Sequence, residues 1–347
     1  MQTSAKRWPL RHIRLLTLML AAMLGMAVIS GNAQSTSGTI LGTLTDGTGA
    51  VVGHTTIQLI NQSTTAKTTA VTNDSGYYQF ADVVPGTYKI VVQKDGFKQL
   101  SRPGVVLQTE ARIQIDLALT VGASTETVEV SASTPLIEAD NIALGTVVDQ
   151  RETNELPLNG RNVMNLTSLV PSVIPLGETS GSPTGQNPFG WGNYQIGGGM
   201  AGWSTTYIDG APDNGIYFNN VEIIPSQDSV GEFKVETNDM SADYGKTGGG
   251  VINFVTKAGT KDYHGSAWEF IRNKIFNSNS FFANGYNGTK LALPPYTQNQ
   301  YGANFGGPLY IPHLYDGRKK TFFFVNWEGF GLRQGVPYTT TIPDSNA

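Results

Sequence analysis

The chain has 347 residues, enough for two or three domains, and its 23 basic and 27 acidic residues give a formal net charge of −4. It has no cysteine, which excludes disulfides, thiolate metal sites and a lipid-anchoring cysteine, and none of its four histidines begins an HxxE or HExxH pattern of zinc hydrolases. Few charged residues (14%) and 41 glycines, together with many Thr, Val, Tyr, Phe and Asn residues, favour a mainly β fold.

The first 33 residues have the pattern of a signal peptide. Four basic residues precede an apolar run at 15–29, and small residues at 31–33 have the spacing of a cleavage site. We predict cleavage near Ala33, because the apolar run is short for the alternative, an uncleaved membrane anchor. Removal of those four cations leaves 19 basic and 27 acidic residues, and this net charge of −8 argues against nucleic acid as a partner.

Residues 38–120 predict a small β-sandwich. Short β-branched or alternating runs are separated by turn dipeptides such as Asp46-Gly47 and Pro85-Gly86. The predicted strands span residues 39–45, 55–60, 68–72, 77–80, 86–93 and 112–119.

Three strings in this region resemble the carboxypeptidase regulatory-like domain. They are TNDSGYYQF at 72–80, VPGTY at 84–88 and the pair Gly96-Phe97. The resemblance implies a transthyretin-like β-sandwich that carries no catalytic group and serves as a scaffold or docking domain. We therefore expect no catalytic residues, no cofactor and no metal site, so the chain is not predicted to be an enzyme.

Residues 121–139 form a Ser/Thr-rich link that contains an extended, β-branched segment. A segment of this kind can add as a strand to the sheet edge of another protein. It resembles the box through which TonB-dependent receptors contact the energy-transducing protein TonB, and a plain linker is the open alternative. The residues of this candidate TonB box are Thr127, Val128, Glu129, Val130, Ser131 and Ala132.

Residues 140–258 predict an α+β domain. The string LPLNGR at 156–161 precedes a short helix predicted at 162–169, which stops before Pro171. Asp209-Gly210 predicts a hairpin within 205–212. Further strands are predicted at 194–196, 233–237 and 251–256.

The order of these pieces resembles the plug domain of TonB-dependent receptors, in the Oar-like subgroup with an N-terminal regulatory-like domain. The glycine clusters at 197–199 and 248–250 predict tight turns and close backbone packing. Asp209, Asp213 and Asn214 lack the further oxygen ligands of a calcium loop, so turn chemistry is favoured over calcium binding.

After residue 260 the pattern changes to aromatic strands, predicted at 266–270, 300–306 and 322–328. In the first, Trp268 and Phe270 alternate with Ala267 and Glu269. An aromatic face opposite a small or polar face is typical of transmembrane β-barrels, and we expect the aromatic face to meet lipid. A half-buried soluble sheet has the same period and is the alternative.

The predicted architecture is therefore mainly β and in five parts. They are a signal peptide (1–33), the sandwich (38–120), the linker (121–139), the plug (140–258) and the start of an outer-membrane barrel (259–347). Residues 261–347 accommodate about four spanning strands, whereas a single-chain barrel needs at least about eight. We expect an incomplete barrel, either the N-terminal part of a longer receptor or a truncated gene product.

The predicted function is energised uptake of an unidentified solute across a Gram-negative outer membrane, with TonB and outer-membrane lipid as partners. A structural or adhesive envelope protein that displays the sandwich is the alternative. A secreted peptidase accessory is a weaker one, since no catalytic domain accompanies the sandwich.

Overall fold

The computed structural model describes residues 36–123, 127–129, 144–156, 158–176, 194–217, 219–241, 244–245, 247–279, 281 and 292–335. All of these residues belong to one compact unit, which is mainly β. The predicted signal peptide at 1–33 lies outside the described residues. Within the described ranges, no helix has the length and apolar character needed to cross a lipid bilayer.

The N-terminal module consists of two sheets over one core. One sheet has the order β4-β1-β7, with β8 also paired to β1, and the other has the order β3-β2-β5-β6-β9. Buried side chains from both sheets, such as Ile40, Tyr78, Ile57 and Ile90, form a single hydrophobic cluster. The strands are β1 (Gly38–Asp46), β2 (Thr56–Asn61), β3 (Lys67–Val71), β4 (Tyr77–Val83), β5 (Gly86–Val92), β6 (Gln99–Leu107), β7 (Arg112–Gln114), β8 (Leu117–Leu119) and β9 (Thr127–Glu129).

The sequence prediction omits β6, whose residues include Pro103 and Gly104. The structure accommodates both: the pairing of β6 with β5 shifts register at this point, and Gly104 takes a positive φ of 74°. Val105 and Leu107 beyond the interruption are buried in the core. Core packing therefore maintains a strand that the local sequence disfavours.

The central module is built on a five-stranded mixed sheet with the order β10-β15-β16-β13-β14. Its core includes Phe233 and Phe254, whose ring centroids are 5.0 Å apart. A separate two-stranded sheet pairs β11 with β12. The elements are β10 (Leu144–Val148), helix α1 (Gln150–Glu155), 3-10 turns at Asn159–Arg161, Val163–Leu169 and Gln227–Ser229, β11 (Val173–Pro175), β12 (Tyr194–Ile196), β13 (Thr205–Ile208), β14 (Ala211–Pro212), β15 (Val230–Asn238) and β16 (Val251–Thr256).

Local signals predict several of these elements. The helix predicted at 162–169 is a 3-10 helix, Val163–Leu169, whose N-cap Asn162 accepts a hydrogen bond from Met164 N at 3.0 Å. Asp209 and Gly210 both have positive φ and turn the chain from β13 into β14, as predicted. The prediction omits α1, although Asp149 and Glu152 form a capping box at its start.

The two glycine clusters of the central module lie against each other. A Cβ added at Gly199 would lie 2.4 Å from the Cα of Gly249, and one added at Gly250 would lie 2.3 Å from a methyl group of Ile196. The predicted close backbone packing is therefore confirmed.

The C-terminal sheet consists of three antiparallel strands in the order β17-β18-β21. Strands lie at or near all three predicted positions, and each is long enough to span a bilayer core. One face of the sheet meets the central module and is called the inner face; the other is called the outer face. The strands are β17 (His264–Asn273), β18 (Tyr296–Pro308) and β21 (Phe322–Gln334), with the short hairpin β19 (Tyr310–Ile311) and β20 (Tyr315–Asp316) between the last two.

The predicted alternation holds in β18 and β21. Val325 and Trp327 are 61% and 60% exposed on the outer face, opposite Phe305 and Ala303 of β18. Gln300 of β18 is buried on the inner face. The outer face of these two strands thus carries aromatic and aliphatic side chains. The inner face of β18 is mostly small or polar, whereas β21 also places Phe322, Phe324 and Phe330 on the inner face.

The expectation for β17 is wrong. Trp268 lies opposite Gly302 and Phe270 lies opposite Gln300, so both aromatic side chains occupy the inner face, while Glu269 lies on the outer face. The indole takes the space that a side chain at residue 302 would fill: a Cβ there would lie 2.5 Å from a ring atom of Trp268. The period of β17 is as predicted, but the side that its aromatic residues face is reversed.

Candidate coupling site

The candidate TonB box is attached to the N-terminal module over the part that the structure describes. Thr127, Val128 and Glu129 form β9, which pairs in parallel with Gln99–Ser101 of β6. Thr127 and Glu129 are exposed, and Val128 is half-buried. Val130, Ser131 and Ala132 lie outside the described residues.

The chain that leads to β9 is also fixed on this module. The amide of Lys98 donates to the carbonyl of Thr120 at 2.9 Å, and the amide of Gly122 donates to the carbonyl of Gly96 at 3.1 Å. Only residues 123–126 separate this anchor from β9. The candidate box therefore begins next to the sheet edge that it occupies.

The loop that follows β6 attaches the N-terminal module to the central sheet. Glu232 of β15 accepts hydrogen bonds from both the amide, at 2.6 Å, and the hydroxyl of Thr109. Burial raises the pKa of Glu232, while these two hydrogen bonds oppose that rise. The carboxylate thus links two modules that are more than a hundred residues apart in the chain.

A second set of contacts surrounds Glu110. Its carboxylate accepts hydrogen bonds from Tyr244 and Asn253 and lies 3.4 Å from Nζ of Lys234, which is itself 2.8 Å from Glu236. The side chains of Glu110, Lys234 and Glu236 are only 13%, 5% and 4% exposed. Two buried carboxylates therefore share one ammonium group at the boundary between the modules.

The electrostatics of this cluster are unbalanced. Burial raises the pKa of Glu110; Lys234 opposes the rise and Glu236 adds to it. Within the described part of the chain, Oε2 of Glu236 and Oδ1 of Asn253 have no hydrogen-bond partner. Because a buried charge is costly unless it is paired, the single lysine holds the arrangement together.

The LPLNGR string connects the central module to the inner face of the C-terminal sheet. Arg161, with a positive φ of 56°, forms an ion pair with Asp228. Its guanidinium lies 5.3 Å from the ring centroid of Trp268 and 4.8 Å from that of Phe270. Nε2 of Gln300 donates to the carbonyl of Gly160 at 3.2 Å. This explains why the aromatic residues of β17 face inward.

The polar residues considered for calcium serve turns and loops. Asp209 accepts hydrogen bonds from the amide and hydroxyl of Thr256 at 2.8 and 2.7 Å. Asn214 accepts from the amide of Thr206, and Asp213 accepts from the amide of Ile223. Burial raises the pKa of Asp213 to about 6. Among the described residues, no group of three or more His, Cys, Asp or Glu side chains has the geometry to hold a metal ion.

Sequence reasoning missed the polar contacts between the modules. Lys234 and Glu236 alternate with Phe233 and Val235, a pattern that predicts a strand with one buried face and one solvent-exposed face. In the structure all four side chains are buried. The signal that was present is the pairing of two opposite charges at adjacent same-face positions, but nothing local pointed to Glu110 as the third member.

Two protein families match separate parts of the chain. Residues 39–120 match the carboxypeptidase regulatory-like domain, and residues 255–347 match the outer membrane beta barrel domain. The TonB-dependent transporter Oar of Myxococcus xanthus is 25% identical over 289 residues, covering 79% of this chain and 25% of that protein. The chain thus spans about a quarter of the length of this curated relative.

Solved structures show weaker similarity. The ferric enterobactin receptor of Pseudomonas aeruginosa gives a TM-score of 0.32 at 18% identity, over 50% of this chain and 23% of that one. Catechol 1,2-dioxygenase from Pseudomonas arvilla C-1 gives a TM-score of 0.22 at 12% identity, over 28% of this chain and 56% of that one. Together, the family matches and the curated relative confirm the predicted resemblance to an Oar-like TonB-dependent receptor.

Proposed function

We propose that this chain is part of an outer-membrane TonB-dependent receptor that takes up a solute with energy delivered by TonB. In this proposal the N-terminal module is a transthyretin-like sandwich, the central module is the plug, and the C-terminal sheet is the start of the barrel wall. The candidate TonB box, residues 127–132, lies in the linker between sandwich and plug. The receptor carries out no chemistry on its solute, so it needs no catalytic residue and no cofactor.

One observation carries the proposal: the two faces of the C-terminal sheet differ as the wall of a plugged barrel requires. The inner face holds the central module through Arg161, Gln300 and the hydrogen bond from Asn326 to Ser226 at 2.6 Å. On the outer face, Phe305, Val325 and Trp327 are 50%, 61% and 60% exposed. The Phe305 ring stacks on Tyr263, just before β17, and the Trp327 ring packs against Tyr301 of β18. Lipid is the environment that suits such a face.

The plug assignment is supported by how the central module could be moved. Its sheet ends in the edge strand β10, which is the first described strand after the linker and pairs only with β15 among the described strands. A force applied at the linker would therefore reach β10 first. Displacement of the central module is expected to open a path for the solute along the inner face of the C-terminal sheet.

Fluorescence quenching by brominated lipid tests the membrane orientation. The chain is reconstituted into vesicles with and without bromine on the acyl chains, as wild type, Trp327→Phe and Trp268→Phe. We expect strong quenching that is mostly lost in Trp327→Phe and retained in Trp268→Phe. Equal quenching in both variants would contradict the assigned faces.

Membrane extraction separates the proposal from the structural or adhesive alternative. A receptor of this type should stay in the membrane fraction in high salt and urea and leave it only in detergent. Release by salt or urea alone would favour the alternative. Coupling is tested by photo-crosslinking from Val128 to TonB in energised cells, where absence of a crosslink would count against the role of residues 127–132.

A further inference from the structure

The edge of β6 is occupied by β9, the same segment that binds TonB in the proposed function. Thr127 lies opposite Gln99, Val128 opposite Leu100 and Glu129 opposite Ser101. Each backbone N–H and C=O has a limited capacity for hydrogen bonds, so pairing with β6 uses groups that strand addition to TonB would also use. The same short segment therefore has two competing partners.

Proximity favours the pairing of β9 with β6 over the binding of β9 to TonB. The anchor at Gly122 and the start of β9 are separated by residues 123–126 alone. A tether this short gives a high effective concentration, on the order of millimolar or above, and costs little loop-closure entropy. A free TonB molecule in the periplasm has no such advantage.

The internal pairing is nevertheless weak enough to release. The strand β9 has three residues, lies at the edge of its sheet, and leaves Thr127 and Glu129 exposed. Short edge strands with few buried contacts belong to the parts of a protein that open most easily. The pairing can thus hold the segment without trapping it.

We propose that the β6 edge of the N-terminal module is an internal binding site that masks Thr127–Glu129, and that TonB gains this segment only by displacing it from β6. This inference rests on the proposed function. It assigns the module a regulatory role: whatever loosens β9 from β6 makes the receptor available to TonB.

An engineered disulfide across β6 and β9 tests this proposal directly. The variant combines Gln99→Cys with Thr127→Cys, two residues that lie opposite each other in the β6–β9 pair. Gln99 is half-buried and Thr127 is exposed, and the described part of the chain has no other cysteine. Neighbouring strands bring Cα atoms within the range that a disulfide bridges. Binding of the full chain in detergent to the purified C-terminal domain of TonB is measured by fluorescence anisotropy, before and after reduction.

We expect the oxidised double variant to bind TonB at least about tenfold more weakly than the same protein after reduction, with each single variant unaffected by reductant. Hydrogen exchange at Gln99–Ser101 in the wild type should become faster when TonB is added, because β9 leaves the β6 edge.

Two results would overturn the proposal, and they differ in what else they affect. Equal binding by the oxidised and reduced double variant, with unchanged exchange at Gln99–Ser101, means that TonB uses another segment or the free edge of β9; the masking inference then fails alone. Absence of TonB binding by every form, wild type included, overturns the coupling role in the proposed function and this inference with it.

Discussion

Replacement of Lys234 by methionine removes the cation that pairs with both Glu110 and Glu236. Glu110 lies 3.4 Å and Glu236 lies 2.8 Å from the ammonium group, and none of the three side chains is more than 13% exposed. Breaking a buried ion pair by removing one partner typically costs about 3–5 kcal/mol, because the remaining charge stays buried without compensation. Methionine retains most of the volume, so lost packing contributes little.

The cost should depend on pH in a defined direction. Burial already raises the pKa of Glu110 in the wild type. Loss of Lys234 removes the largest interaction that opposes this rise and leaves the hydrogen bond from Asn253. A carboxyl whose pKa is higher in the folded state than in the unfolded state destabilises the fold as pH rises through that window. The Lys234→Met variant should therefore lose more stability at pH 8 than at pH 5, where Glu110 can take up a proton.

Hydrogen exchange of the slowest amides of β15 measures this loss locally. At pH 8, a loss of about 3–5 kcal/mol corresponds to an opening equilibrium that is roughly 10²- to 10⁴-fold more favourable. Two variants serve as controls: Lys67→Met removes an exposed lysine of β3, and Glu110→Gln keeps a neutral acceptor of matched size. Lys67→Met should cost less than about 1 kcal/mol. Glu110→Gln leaves Lys234 paired with Glu236, so it should cost less than Lys234→Met. A loss below about 1 kcal/mol in Lys234→Met, or one independent of pH, would refute the argument.

Three further predictions concern other contacts. Gly199→Ala should destabilise the central module by about 1–3 kcal/mol in a urea titration, because the added methyl would overlap Gly249, whereas Gly245→Ala, with open space around it, should be neutral. Arg161→Lys keeps the charge near Asp228 but loses the planar contact with Trp268 and Phe270, so β17 amides should exchange faster, while Arg151→Lys on exposed α1 should change nothing there. Burial raises the pKa of Asp213 to about 6, so ionisation of this carboxyl should destabilise its loop as pH rises from about 4 through 6. Protection of the Ile223 amide from hydrogen exchange should therefore fall over that range in the wild type and stay constant in Asp213→Asn.

Predictions from sequence succeeded where a few neighbouring residues determine the local backbone conformation by themselves. Asp209-Gly210 tolerates positive φ and so determines the turn between β13 and β14. Asn162 caps the 3-10 helix that follows it. The alternation in β18 and β21 assigned outer and inner faces correctly, because neighbouring side chains of a strand must point to opposite sides.

Predictions failed where a distant partner decides. Strand β6 forms despite Pro103 and Gly104, because the core needs Val105 and Leu107. Trp268 and Phe270 have the same period as a lipid-facing pair, yet they face inward. Alternation defines two faces of a strand but does not determine which face meets lipid and which meets protein. Here the guanidinium of Arg161, about a hundred positions away in the chain, contacts both rings on the inner face.

The sequence alone determined the mainly β character and the positions of many strands and turns, because these follow from local composition, turn chemistry and side-chain period. The candidate TonB box comes from a resemblance to a known family and stays a prediction. Only the tertiary structure revealed that β9 is paired with β6 and that Glu110 shares Lys234 with Glu236. Hydrogen bonds between strand edges and ion pairs between buried side chains depend on distances across the fold, and residues far apart in the chain carry no local mark of the partner they will meet.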